Sequence, residues 1–292
     1  MRRAVLAAAL AAAVSSAIFA PSGALADGAA SSHRTGGQHA GNSQSVIGLT
    51  NDQQLVRFDV KDPSKVWPLG PVGGLTGDTE LVGIDFRVQN ARLYGVGNRG
   101  GIYTLNTSNA QATKVSQLTV ALAGSRFGVD FNPAANRLRV ISDTGQNLRH
   151  NIDDPAASPV TTVDGTLTNP TMPPSTALGV TGAAYTNNDL NAATATTLFD
   201  IDTTNDRVSL QSPANAGTLA PTGNLGVDAG PSAGFDIYYS PKAGTNQGFA
   251  ALQTDGYFRF YRVNILNGAA TSLGFFPANW QVFDVALPLN QS

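Results

Sequence analysis

Four aspartates stand in one recurring context, a small or β-branched residue, an apolar residue, Asp and a second apolar residue. The copies are Gly83-Ile84-Asp85-Phe86, Gly128-Val129-Asp130-Phe131, Gly234-Phe235-Asp236-Ile237 and Val282-Phe283-Asp284-Val285. A fifth, degenerate copy, Gly182-Ala183-Ala184-Tyr185, has alanine in place of the acid. Carboxylates repeated in this way have three chemistries open to them. They can accept hydrogen bonds from backbone N–H groups or from Arg and so fasten each repeat. They can hold a hard cation such as Ca²⁺ through oxygen alone. Two of them can share acid–base work, which needs one carboxyl with a raised pKa. Four bare charges around one centre are disfavoured. Carboxylates about 8 Å apart at an effective dielectric of about 20 repel by roughly 2 kcal/mol for each neighbouring pair.

A second polar cluster runs from Asn132 to Arg149, with Arg137, Arg139, Asn147 and Arg149 inside it. Strand alternation puts Arg137, Arg139 and Ile141 on one side and Leu138 and Val140 on the other. Arginines in a covered strand need carboxylate partners, and the repeated Asp residues are the expected ones. The alternative is an anion- or sugar-binding face built from Asn132, Arg137, Arg139, Asn147 and Arg149. Other matches fail on context. Gly95-Val96-Gly97-Asn98-Arg99-Gly100 fits a dinucleotide fingerprint but opens no helix. Gly230-Pro231-Ser232-Ala233-Gly234 fits a nucleophile elbow but leads into a strand. Asp200-Ile201-Asp202 begins like a calcium loop, yet Asn205 stands where Gly is required and Gln211 where a bidentate Glu is required. The chain has no cysteine and three histidines, of which only His150 falls in the folded region, so a zinc, copper or iron site has no ligand set.

The elements that must position these residues are strands. Successive copies of the Asp unit are 45, 54, 52 and 48 residues apart. After each comes a second strand, a tight turn such as Asp255-Gly256, a third strand and a fourth. Four strands per 40–50 residues is the size of a propeller blade. Val282–Leu287 is a first strand with nothing after it. Val46–Leu49, Leu55–Val60 and Val66–Leu69 are three strands with no first strand before them. The chain is therefore expected to be all-β, a five-bladed β-propeller with four-stranded blades, its ring closed by the C-terminal strand pairing into the N-terminal blade.

Composition agrees. Nineteen Asp against one Glu, and fourteen Arg against four Lys, leave few exposed helix formers, while the 31 Gly suit turns. Met1-Arg2-Arg3, an apolar run Ala4–Ala20 and the site Ala24-Leu25-Ala26 read as a signal peptide over 1–26. Residues 27–44 read as a flexible leader and 45–292 as one domain, with no transmembrane segment after cleavage. The processed chain would carry a net charge of −4, which excludes nucleic acid as a partner. The protein is thus expected to be secreted, extracellular or periplasmic.

Gly128-Val129-Asp130-Phe131-Asn132-Pro133, Arg137-Leu138-Arg139-Val140, Gly145-Gln146-Asn147-Leu148-Arg149 and Thr197-Leu198-Phe199-Asp200-Ile201-Asp202 resemble the bacterial exported family called domain of unknown function 4394. The likeness runs from about Val46 to Leu287. It implies the fold and export but no catalytic residue. Asn136 stands where such proteins more often have Asp, which weakens one ion pair. The functional expectation is a non-catalytic binding or interaction module for an extracellular ligand, a glycan or a protein. The alternatives are an Asp-dependent hydrolase or lyase acting on a polysaccharide or lactone, and a structural protein of the envelope or matrix. No cofactor is evident apart from calcium at Asp85, Asp130, Asp236 and Asp284.

Overall fold

The computed structural model describes residues 44–158 and 160–291; the expected signal peptide, and the leader up to residue 43, lie outside them. The described chain folds into five four-stranded antiparallel sheets. From inside outwards the first blade is Val282–Ala286, Ser45–Thr50, Gln54–Asp59 and Asp62–Pro71. The second is Leu81–Arg87, Arg92–Gly97, Gly101–Leu105 and Ala112–Gln117. The third is Phe127–Asn132, Arg137–Ser142, Asn147–His150 and Thr161–Val163. The fourth is Val180–Tyr185, Leu198–Asp202, Arg207–Gln211 and Leu219–Asn224, and the fifth Ala233–Ser240, Thr245–Thr254, Tyr257–Val263 and Ala270–Phe275. A small hairpin, Thr168–Asn169 with Ser175–Thr176, is inserted between the third and fourth blades.

The ring closes as the unpaired ends of the repeat pattern require. Val282–Ala286 pairs antiparallel with Ser45–Thr50, matching Ile47 with Ala286 and Leu49 with Asp284. The five innermost strands touch one another in order around the axis. Within blades, turn chemistry sets the register. Asp255 and Gly256 take φ of 52° and 81° between Thr254 and Tyr257, the left-handed pair that a two-residue hairpin needs.

A blade has two faces, so the apolar core is divided among the gaps between blades. One cluster joins Phe58 and Val285 of the first blade to Phe249 and Phe260 of the fifth. Others fill the remaining gaps in turn. The gap between the third and fourth blades holds the smallest, around Ile141, Ala183, Tyr185 and Leu198. Polar residues fill the rest of that gap.

The glycines of the Asp unit have a packing reason. A Cβ on Gly128 would lie 2.7 Å from the Ala183 nitrogen of the next inner strand. One on Gly234 would lie 2.8 Å from Asp284 Oδ1. At both places the inner strands are drawn so close around the axis that the position two before the acid admits no side chain, whereas in the fourth copy Val282 fills it.

Candidate functional site

The four repeated aspartates lie at the centre of the ring and are buried, Asp85 at 3%, Asp130 at 1%, Asp236 at 2% and Asp284 at 8% exposure. Each reaches across to the next blade. Asp85 Oδ2 accepts from Phe131 N at 2.8 Å, and Asp130 Oδ1 accepts from Tyr185 N at 3.2 Å. Asp236 Oδ2 accepts from Leu287 N at 2.6 Å, and Asp284 Oδ2 accepts from Ile84 N at 2.7 Å. The four carboxyls therefore fasten four of the five joints of the ring. At the fifth, from the fourth blade to the fifth, Ala184 packs in an apolar cluster against Phe235 and Ile237 instead.

Backbone donors do not satisfy the group. Asp130 Oδ2 and Asp236 Oδ1 are buried without a hydrogen-bond partner. Asp85, Asp130 and Asp236 each present an oxygen, and the three oxygens lie within 4.8 Å of one another. At that spacing, and at an effective dielectric of about 20, three full charges would repel by roughly 3 kcal/mol per pair. Burial, then the charge of Asp236, pushes the Asp85 carboxyl well above the usual range. Burial, then Asp85 and Asp236, does the same to Asp130. Burial raises Asp284 likewise, against the pull of the Ile84 and Val285 amides. Asp236 is pushed up to about 6 by burial, with the Leu287 and Ile237 amides holding it down.

At one end of this axis opens a polar mouth of about 200 Å³. Asp284 and Phe283 line it beside Glu80, Arg126, Phe127, Ser232 and Gln253, residues drawn from four blades. Glu80, Arg126 and Ser232 each stand immediately before an inner strand, four or five residues ahead of the repeated Asp. That shared phase in the repeat is the signal by which Arg126 and Ser232 could have been grouped with Glu80, a carboxylate the sequence already offered as a weaker acid–base candidate than the four Asp. Arg126 and Glu80 are exposed, and neither forms an ion pair among the described residues.

The Arg and Asn cluster of the third blade does something else. Arg139, 2% exposed, donates to Asp164 Oδ2 at 2.6 Å, Asn147 Oδ1 at 2.6 Å, Asn215 Oδ1 at 2.8 Å and the Tyr185 hydroxyl at 3.2 Å. Arg149 donates to the same Asp164 oxygen at 2.7 Å. The expectation that these arginines pair with the repeated aspartates is corrected. Asp85 and Asp130 are occupied by amides of neighbouring inner strands, and Asp164, outside the repeat, takes both guanidinium groups. Among the described residues Arg137 donates only to the carbonyls of Ala135 and Asn136, and Asn132 Oδ1 accepts from Ala135 N within its own turn. Asn136 sits at φ 51°, a conformation Asn tolerates well. It accepts from Arg87 while donating to Asp153, so it bridges the ion pair between them.

Beside Arg139, Asp200 is fully buried with both oxygens unpartnered. Its strand neighbour Ser209, two residues before Gln211, has an unpartnered hydroxyl on the same sheet face. Burial raises the Asp200 carboxyl and the Arg139 charge opposes it. As the sequence context required, the stretch Gly95–Gly100 is a strand and turn.

Five four-stranded sheets closed around an axis of buried carboxyls define a five-bladed β-propeller. The family model for a domain of unknown function (DUF4394) matches residues 54–286, and the chain belongs to that family. No curated protein matches it. Among solved structures it is similar to a protein from Lactobacillus plantarum, 18% identical over 82% of this chain and 69% of that one, with a TM-score of 0.41. It is also similar to an auxiliary nutrient binding protein from Bacteroides thetaiotaomicron, 12% identical over 70% of this chain, with a TM-score of 0.38. This chain spans 55% of that protein's length. A protein of unknown function from the same species is 13% identical over 86% of this chain and 62% of that one, with a TM-score of 0.43.

Proposed function

We propose that this protein is an exported binding module that holds a carbohydrate end group in the axial mouth without turning it over. The observation that carries the reading is the lining of that mouth. The Arg126 guanidinium and the Glu80 carboxylate, neither held in an ion pair among the described residues, converge there with the Gln253 amide and the Ser232 hydroxyl beside the rings of Phe127 and Phe283. Side chains with planar donor and acceptor groups suit adjacent sugar hydroxyls, and aromatic rings suit the apolar faces of a sugar. The space, about 200 Å³, is below the roughly 300–1,000 Å³ of pockets for drug-sized ligands, which suits one ring or a chain end. Among the described residues no helix is long and apolar enough to cross a membrane.

Hydrolysis is the second reading, and one observation favours it. Asp284, a carboxyl that burial holds protonated at higher pH than usual, lines the same mouth as Glu80. Those two could serve as acid and base, whereas Asp85, Asp130 and Asp236 are buried away from any sugar ring. Glycan-array binding followed by calorimetry separates the two. Binding that Arg126→Ala and Gln253→Ala weaken at least tenfold, with no product, supports the module. Turnover that Asp284→Asn abolishes would replace it with the hydrolase, and absence of binding to any glycan would refute both.

A further inference from the structure

The propeller axis gathers four buried acids at one place, with no cationic side chain paired to any of them: none of the six ion pairs among the described residues includes one. Their only donors are backbone amides, and these leave Asp130 Oδ2 and Asp236 Oδ1 free at 1% and 2% residue exposure. A buried acceptor with no donor is rare in a native fold and points to something that supplies positive charge.

We propose that Asp85, Asp130 and Asp236 bind one calcium-sized cation on the propeller axis. The spacing suits such an ion. Calcium takes its oxygens at about 2.3–2.6 Å, so two ligands on opposite sides of it stand up to about 5.2 Å apart. The three carboxylate oxygens lie within that limit of one another. All are hard oxygen donors, no sulfur or imidazole is among them, and the flexible coordination number of calcium leaves room for water to complete the shell. Each ligand comes from a different blade, so an ion there would bridge the second, third and fifth blades at the centre of the ring. Asp284 adds a fourth carboxyl on the same axis, and it lines the open mouth through which the ion would enter. The cation would thus sit behind the ligand mouth, and its binding does not depend on what the mouth holds.

The rival arrangement is a shared proton, with one carboxyl donating to another. The two differ in response to metal. The full-length processed protein is stripped with chelator and melted in 0 to about 5 mM CaCl₂. A site at about 100-fold excess over its dissociation constant is expected to raise the melting temperature by about 5–10 °C, reversibly with chelator. Asp130→Asn keeps an acceptor for Tyr185 N but removes one charge. It is expected to fold, to melt no lower than the stripped wild type, and to lose most of the calcium shift. Asp236→Asn provides the same reading should that variant fail to fold. An unchanged melt at millimolar calcium, or a full calcium shift surviving in both variants, overturns the site. An equal shift with magnesium overturns its assignment to a calcium-sized ion.

Discussion

Replacing Arg139 with methionine tests the claim that the conspicuous Arg cluster of the third blade holds two blades together and touches no ligand. The side chain is buried between the third and fourth blades. It bonds Asn147 and Asp164 on one side and Asn215 and the Tyr185 hydroxyl on the other. Methionine fills most of the volume but donates nothing, so four side-chain acceptors lose a donor. Asp200, beside it, loses the positive charge that opposes its protonation. Removing one partner of a buried ion pair costs about 3–5 kcal/mol. Asp164 keeps Arg149 at 2.7 Å, so the lower end, about 3 kcal/mol, is expected. For a domain of this size that is roughly 6–12 °C in melting temperature. Arg149→Ala is the control. Its guanidinium is about one-third exposed and Asp164 would keep Arg139, so its cost is expected below about 1 kcal/mol. Urea denaturation of both variants gives the difference, and hydrogen exchange locates it at the third and fourth blades. If Arg139→Met costs no more than Arg149→Ala, the clamp is refuted. If it also abolishes ligand binding with stability intact, the sugar- or anion-binding face read from the sequence is restored.

Gly128→Ala places a methyl 2.7 Å from the Ala183 nitrogen and forces two inner strands apart. A loss of about 1–3 kcal/mol is expected in denaturant titration, and an unchanged midpoint would deny that the axis is packed so closely. The pH profile has two opposed parts. His150 is buried between Ser116 and Thr161, and burial lowers it from 6.5 to about 4. Its contribution is present above pH 6.5 and is lost as pH falls toward 4. The axial carboxyls are raised instead. Their contribution in chelator is full below the ordinary value of 3.8 and is lost as pH rises through about 6 for Asp236 and through the raised values of Asp85, Asp130 and Asp284. Melting curves between pH 4 and 8 for the wild type and His150→Gln separate them. The variant in chelator is expected to gain stability steadily as pH falls from 8 to 4, and a flat profile would show that the carboxyls are not raised.

Periodicity carries over long distances in a chain, and so the architecture was legible. Near-copies of one β unit, turn residues such as Asp255-Gly256, and a first strand left over at the C-terminus established five blades and their closure before any contact was known. They also put Asp85, Asp130, Asp236 and Asp284 at equivalent places around one axis. What remained hidden depends on which face of one blade meets which face of the next, a relation between residues far apart in sequence. Asp164 and Asn215 lie outside the repeated unit, so nothing in the pattern marked them as partners of Arg139. The mouth residues Glu80, Arg126 and Ser232 differ in type, and only their common position ahead of the inner strands unites them. The orphaned oxygens of Asp130 and Asp236 are likewise a tertiary fact, because whether a buried carboxylate oxygen meets a donor depends on which groups the neighbouring blades bring to it.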